Sequence, residues 1–150
     1  MKTLIATLLL AAAALAQTAP ATSEAPAQAP AAPGYTAKSA DDHARSTSEF
    51  NAIAYMKTVL ANQRDYKKKF GHYATSLMAL TGGGRSFTKR MARTDRGDYT
   101  VGFHGGKDSF VVTMTPKQFD PTRRGFYMSE SGNVRVQEGA PATADSEPLK

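Results

Sequence analysis

The segment from Ser46 to Leu80 decides the fold and reads STSEFNAIAYMKTVLANQRDYKKKFGHYATSLMAL. Mostly apolar side chains recur through it at alternating steps of four and three residues, which is the spacing of one face of an α-helix. We therefore expect one long amphipathic helix with a buried face and a solvated face. The buried stripe comprises Ala52, Met56, Val59, Gln63, Tyr66 and Phe70, widened by Ile53 and Leu60, and the opposite face carries Thr58, Asn62, Asp65 and Lys69.

Both ends of this helix are marked by the sequence. Ser46 to Glu49 fits a capping box, in which the Ser46 hydroxyl accepts from the Glu49 amide and the Glu49 carboxylate reaches back. This pattern predicts a helix start near Thr47. The lysines at 67–69 suit the negative pole of the helix dipole, and Gly71 supplies a left-handed residue that ends the helix.

The length of the stripe indicates whether a sheet or another helix covers it. A spacing near 3.5 residues is also compatible with a coiled-coil seam, but the stripe lasts fewer than three heptads and places Gln63 in the middle. Packing on a sheet is therefore favoured. A short second helical turn begins at Thr75 or Ser76 and ends at the glycines 82–84.

Four later segments alternate apolar and polar residues and predict strands. Glycine-containing turns or loops separate them, and Pro116 closes the second strand. The sequence thus predicts an α+β fold in which one long amino-terminal amphipathic helix packs on an antiparallel sheet of about four strands. The strand segments are centred on Tyr99–Phe103, Phe110–Met114, Phe126–Met128 and Val134–Val136.

Composition divides the chain into four parts. Residues 1–16 are a predicted export signal, because Lys2 precedes an apolar run that ends in the small-x-small pattern of a signal-peptidase site. That run is shorter than the roughly 20 residues that span a bilayer core. Residues 17–45 are predicted to be a disordered Ala/Pro-rich linker, 46–138 the folded domain and 139–150 an extended tail.

Charge and cysteine content restrict the class of protein further. The chain has 19 basic and 13 acidic residues, and removal of Lys2 with the signal lowers the formal net charge from +6 to +5. This excess favours anionic partners without selecting one. The absence of cysteine excludes disulfides, so the domain depends on packing for its stability.

Several short motifs resemble the soluble headpiece of type IV pilins and type II secretion pseudopilins, especially the major-pseudopilin-like group. The resemblance covers roughly residues 46–148 and implies a fibre subunit, or a relative of one, with a long helix on an antiparallel sheet. The motifs are Ala61-Asn62-Gln63-x2-Tyr66, Gly71-x-Tyr73, Leu77-x2-Leu80, the Tyr99 and Phe110 strands, Phe126-Tyr127 with the Ser131-Gly132-Asn133 turn, and Gly139-x2-Ala142.

Two features depart from that family. The chain carries a conventional signal and a Pro-Ala tether where prepilins have a Gly-Phe-type peptidase site, a long apolar segment and a glutamate. Major pseudopilins tend to bind calcium near their carboxy-terminal loops, whereas Asp120, Glu130 and Glu138 are scattered here. No calcium site is therefore predicted.

The strongest candidate for a binding surface is the segment 85–96. Its five cations oppose Asp95 alone, and Phe87 and Met91 lie between them. Such a cluster can contact phosphates or a protein partner, and it is equally compatible with a solvated loop. The candidate contact residues are Arg85, Lys89, Arg90, Arg93 and Arg96.

Catalytic and cofactor motifs are absent from the sequence. His43, His72 and His104 are far apart and lack companions at metal-ligand spacing, and no serine lies in a Gly-x-Ser-x-Gly elbow. We expect no enzyme, no metal and no cofactor. The leading hypothesis is an exported, non-enzymatic pilin-like protein, located in the periplasm, on the cell surface or in the medium, that contacts pilus or secretion components. The alternative is an extracellular polyanion-binding module, with DNA as the example, that uses segment 85–96.

Overall fold

One long helix opens the folded part of the chain. The computed structural model describes residues 34–83 and 86–150, and in it helix α1 spans Thr47–Phe70. Ser46 is extended and its Oγ accepts from the Glu49 N–H at 3.2 Å, while Gly71 has φ 78° and donates its N–H to the Lys67 carbonyl at 2.8 Å. The predicted start and end of the helix are confirmed.

The Glu49 carboxylate reaches back as predicted, although its backbone partner is Arg45 and not the capping residue Ser46. One of its oxygens accepts the Arg45 N–H at 2.8 Å, and the carboxylate also forms a two-pronged ion pair with Arg124, from Nε at 2.9 Å and Nη2 at 2.8 Å. The Arg124 N–H donates to the same carboxylate at 2.9 Å, and Arg124 Nη2 also donates to the His43 carbonyl. Tyr99 donates its hydroxyl to the Arg124 carbonyl at 3.0 Å. The first turn of α1 is thereby fixed to the loop before a strand far along the chain.

A second, short helix follows the turn at Gly71. Helix α2 spans Leu77–Gly83, and the Ser76 Oγ accepts from the Ala79 N–H at 3.1 Å. Leu77 and Leu80 are buried, as their three-residue spacing predicted. α2 therefore caps the same core as α1.

The six strands of the described residues form one antiparallel sheet in which neighbours in sequence are neighbours in space. About four strands were expected, and the two additional strands are the outermost ones, each two residues long. Elements this short show no alternation that sequence could reveal. The strands are β1 (Asp95–Arg96), β2 (Tyr99–Gly105), β3 (Phe110–Pro116), β4 (Gly125–Ser129), β5 (Val134–Gln137) and β6 (Glu147–Pro148).

The core lies between α1 and one face of this sheet. Alternate residues of β3 are buried, and Phe126 and Met128 of β4 continue the same face. Met56 and Val59 of α1 lie fully buried against it. Each such side chain contributes about 1.5–3 kcal/mol by leaving water, so this contact holds the two layers together.

The predicted stripe on α1 is only partly buried. Tyr66 is half-buried, and Phe70 has 43% of its surface exposed. The chain turns at Gly71, and Ala74 then forms two hydrogen bonds with the Gln63 side chain, so it packs on α1 ahead of the last turn that carries Phe70.

Asn62 was assigned to the solvated face, and this assignment is wrong. Its side chain is buried, its Nδ2 donates to the Thr58 carbonyl at 2.8 Å, and its Oδ1 accepts from the Ser86 hydroxyl at 2.8 Å. The segment after α2 covers this side of the helix, and the two hydrogen bonds make the burial of an amide tolerable.

Ordered contacts extend beyond the predicted domain limits of 46–138. Ahead of α1, Ala44 is buried and the Tyr35 hydroxyl donates to the Asp42 carboxylate. Behind β5, Ala142 is buried and the Leu149 N–H donates to the Val134 carbonyl at 2.9 Å. Part of the predicted linker 17–45 and of the predicted tail 139–150 therefore packs on the domain.

The structure does not describe the region for which a signal and most of the linker were predicted. The predicted signal (1–16) and the predicted linker as far as residue 33 lie outside the described residues. Within the described ranges, none of the helices combines the length and the hydropathy needed to cross a bilayer.

Candidate functional site

The predicted basic segment follows α2 and leads into β1. Lys89, Arg90 and Arg93 are exposed on it, and Arg96 is half-buried. Arg85, the fifth predicted contact residue, lies outside the described residues. The four described cations therefore lie on a surface formed by residues 86–96.

Three of these arginines line a groove against the first half of α1. Arg90, Arg93 and Arg96 form one wall, and α1 forms the other, whereas Lys89 is not part of the lining. The groove has a volume of about 660 Å³. We call it the basic groove, and its lining residues are Asn51, Ala52, Tyr55, Arg90, Arg93, Asp95, Arg96, Gly97 and Met114.

Arg96 is held in place within the basic groove. Its guanidinium carbon lies 4.1 Å from the centroid of the Tyr55 ring, and its Nη2 donates to the Met91 carbonyl at 3.3 Å. The Tyr55 hydroxyl donates to the same carbonyl at 2.8 Å. Burial raises the pKa of Tyr55, while the positive charge of Arg96 acts in the opposite direction. Stacking and hydrogen bonding thus fix one cation before any partner arrives.

One donor of Arg96 is left without a partner. Its Nε is shielded from solvent and is the single buried side-chain polar atom, within residues 34–83 and 86–150, that makes no hydrogen bond. Unpaired buried donors are rare in folded proteins and carry a cost. The groove therefore contains an incompletely satisfied guanidinium group.

The acidic residue of the segment does not neutralise these arginines. Lys117 places its Nζ 3.1 Å from both carboxylate oxygens of Asp95. In the part of the chain that the structure describes, no salt bridge uses Arg90, Arg93 or Arg96. The basic groove therefore keeps a net positive charge.

The aromatic residue of the segment belongs to the core. Phe87 is 2% exposed, and its ring centroid lies 6.4 Å from that of Tyr55. It is thus not available for stacking against a base. Met91 is half-buried against the same cluster.

A buried ion pair lies outside the groove and was missed by sequence reasoning. Glu49 and Arg124 are both buried and pair in two-pronged geometry, although they are 75 positions apart in sequence. Glu49 was noted only as a capping residue, and no local pattern singles out Arg124. The pair fixes the first turn of α1, and Asn51 and Tyr55 in the next two turns line the basic groove.

Histidine and carboxylate side chains do not gather into a metal site in residues 34–83 and 86–150. A second groove of about 530 Å³ lies between the segment 39–43 and α1. Two acidic residues, Asp41 and Asp42, line it, and Asp42 is already engaged, because it accepts from the Tyr35 hydroxyl, the Lys38 N–H and the Ala44 N–H. The basic groove is accordingly the candidate functional site.

Comparison with known proteins adds no relative to this description. The chain matches no protein-family model, no curated protein and no solved structure. The resemblance of its motifs to pilin headpieces therefore stays a prediction, and the function is argued from the fold and the groove.

Proposed function

We propose that this chain is an exported, non-enzymatic pilin-like protein that acts as a structural or accessory interaction module of the cell envelope or of a pilus or secretion system. The observation that carries the proposal is a 24-residue helix, capped at both ends, that lies on an antiparallel meander. Pilin headpieces have this arrangement of one long helix before an antiparallel sheet. The motifs that resemble the family fall on its structural joints, such as Gly71 at the helix end and Gly132 in the turn after β4.

Gly132 illustrates why these motif positions matter to the fold. It has φ 85°, and a Cβ at this position would lie 2.8 Å from Leu60 Cδ2. The turn between β4 and β5 therefore packs closely on α1, and only glycine fits there without displacement. A Ser-Gly-Asn turn in contact with the long helix supports the pilin-like assignment.

Export is the first testable part of the proposal. The amino terminus of the protein recovered from the envelope or the medium is to be measured by mass spectrometry. A mature chain that begins at Gln17 supports an exported headpiece on a tether. An intact Met1 on protein recovered from the cytoplasm contradicts export.

Partnership with envelope components is the second testable part. The mature protein, expressed at its native level, is to be cross-linked in intact cells and purified from the envelope fraction. We expect pilus or secretion components in the cross-linked product. A headpiece that stays monomeric and uncross-linked in such extracts contradicts the proposed function.

The alternative function is an extracellular polyanion-binding module. The exposed side chains of Lys89, Arg90 and Arg93 favour it, since exposed cations contact phosphates. This alternative expects salt-sensitive retention on immobilised DNA that falls when Arg90 and Arg93 are both replaced by alanine. Unchanged retention of the double variant removes it.

A further inference from the structure

We propose that the basic groove binds a carboxylate-rich segment of a protein partner, in which aspartate or glutamate side chains contact Arg90, Arg93 and Arg96. This inference rests on the proposed function, because it states the chemistry through which the headpiece meets its partner. It adds Asn51 and Tyr55 of α1 to a surface that sequence alone confined to segment 85–96.

The shape and composition of the groove suit a short acidic segment. Its volume of about 660 Å³ lies within the roughly 300–1,000 Å³ of typical ligand sites. Guanidinium groups pair with carboxylates through two parallel N–H···O bonds, and they stay charged at any physiological pH. The Asn51 side chain lines the opposite wall, where an amide can bond to the backbone of a bound peptide.

Preorganisation distinguishes Arg96 from an ordinary surface arginine. Because it already stacks on Tyr55 and donates to the Met91 carbonyl, little side-chain entropy remains to be lost on binding. Arg90 and Arg93 are exposed at the rim and complete the contact. Arg96 thus provides a fixed contact for one carboxylate, and the exposed side chains of Arg90 and Arg93 can adjust to others.

The charge balance of the groove requires an anion. Asp95 is the single acidic residue in the lining, and Lys117 engages both of its oxygens at 3.1 Å. The exposed Arg90 and Arg93 and the half-buried Arg96 therefore have no acidic partner among the described salt bridges. An incoming carboxylate gains their attraction without first breaking an ion pair.

One observation favours a protein carboxylate over a nucleic acid. The aromatic rings nearest the arginines are covered, since Phe87 is in the core and Tyr55 lies beneath Arg96, so bases have no face on which to stack. The groove thus suits the carboxylates of a peptide better than a nucleic-acid strand whose bases need a ring to stack on.

The test is a titration of the mature full chain with a fluorescein-labelled hexaglutamate peptide, read by fluorescence anisotropy at about 0.15 M salt. The test variant is Arg90→Gln with Arg93→Gln. The matched control is Lys68→Gln with Lys69→Gln, which removes the same charge from exposed residues in the last turn of α1. Residues 55 and 68 are about 20 Å apart along the helix, more than twice the screening length of about 8 Å.

We expect the groove variant to bind the peptide at least about tenfold more weakly, because it loses two charge-assisted contacts. The control is expected to change affinity by less than about twofold, since surface charges at that distance are screened. Asp95→Asn is expected to strengthen binding, because it removes the one negative charge from the lining. Thermal unfolding of each variant shows whether the fold is kept, and all replaced side chains in the two double variants are exposed.

Three outcomes overturn the inference. These are absence of peptide binding by the unmodified chain, equal weakening in the groove and control variants, and displacement of the peptide by a deoxythymidine oligonucleotide that binds more tightly. The third outcome supports the polyanion alternative. Envelope cross-linking is read separately: partners captured without peptide binding remove only this inference, whereas groove-dependent peptide binding without envelope partners removes only the proposed function.

Discussion

The two ends of α1 follow one sequence pattern but have opposite environments. From its beginning to its middle, Glu49 is paired with Arg124, and Met56 and Val59 are fully buried against the sheet. In the last turn, Phe70 is 43% exposed and the lysines at 67–69 face solvent. The helix is thus anchored at its beginning and free at its end.

The comparison shows what helical periodicity does and does not report. Periodicity identifies the face that a covering layer would bury, but it carries no information on where that layer stops. Here Tyr73 and Ala74 return into the core after the turn at Gly71, so the stripe continues past the layer that covers it. The basic groove lies on the anchored half, where its α1 wall is held in place.

Replacement of Arg124 by methionine is expected to have the largest effect. It leaves the Glu49 carboxylate buried without its guanidinium partner, which costs about 3–5 kcal/mol of unfolding free energy. The matched control is Arg123→Met, which removes a partly exposed pair with Asp120 and is expected to cost about 1 kcal/mol or less. Denaturant-induced unfolding measures both, and equal losses would show that the anchor is no stronger than a surface pair.

Truncation of two stripe residues compares the halves directly. Met56→Ala creates a cavity in the core and is expected to cost about 2–5 kcal/mol. Phe70→Ala removes an exposed ring and is expected to change stability by about 0.5 kcal/mol or less. The same unfolding experiment measures both, and a larger loss at Phe70 than at Met56 would reverse the comparison.

The turn that ends α1 gives a smaller effect. Gly71 has φ 78° and open space where a Cβ would be, so Gly71→Ala is expected to cost about 1 kcal/mol through backbone conformation alone. Gly82→Ala in α2 is the control, because that glycine is helical, has no atom within 4 Å of the added Cβ and is expected to be neutral or stabilising. Thermal unfolding of the two variants checks this, and a destabilised Gly82→Ala with an unaffected Gly71→Ala would contradict it.

Acidification is expected to cause the smallest loss of stability, through the Asp120 carboxylate in the loop before β4. Hydrogen bonds from Arg123 and Thr122 lower the pKa of Asp120 to about 2, from 3.8. Because the pKa is lower in the folded state, this contribution is complete above pH 4 and is lost as the pH falls from about 4 towards 2. Asp120→Asn is expected to flatten that part of the stability profile, measured by denaturant unfolding at each pH. A profile that keeps the same slope in the variant would assign the acid loss to other groups.

Local signals predicted much of the fold. The helix ends at Ser46 and Gly71 were predicted correctly because capping depends on residues within a few positions of one another. The four longer strands were predicted because each has enough residues to alternate. β1 and β6 were not predicted, because a two-residue strand is defined by its partner and not by its own sequence.

The candidate site was predicted only in part, and for a related reason. Segment 85–96 was predicted from its composition, but the contribution of Asn51 and Tyr55 depends on how α1 packs against that segment. The same holds for the Glu49–Arg124 pair, which joins residues 75 positions apart. Phe87 was interpreted as a side chain interleaved with the cations, and only the packing against Tyr55 places it in the core.

Native-state hydrogen exchange along α1 tests the contrast between its covered turns and its last turn most directly. We expect the amides from Met56 to Gln63 to exchange only when the whole domain unfolds, because their side chains are covered by the sheet and by Ala74. The amides from Tyr66 to Phe70 are expected to exchange through local opening, with much lower protection. Equal protection from residue 56 to the end of the helix, or stronger protection in its last turn, would contradict a covered middle and a free end.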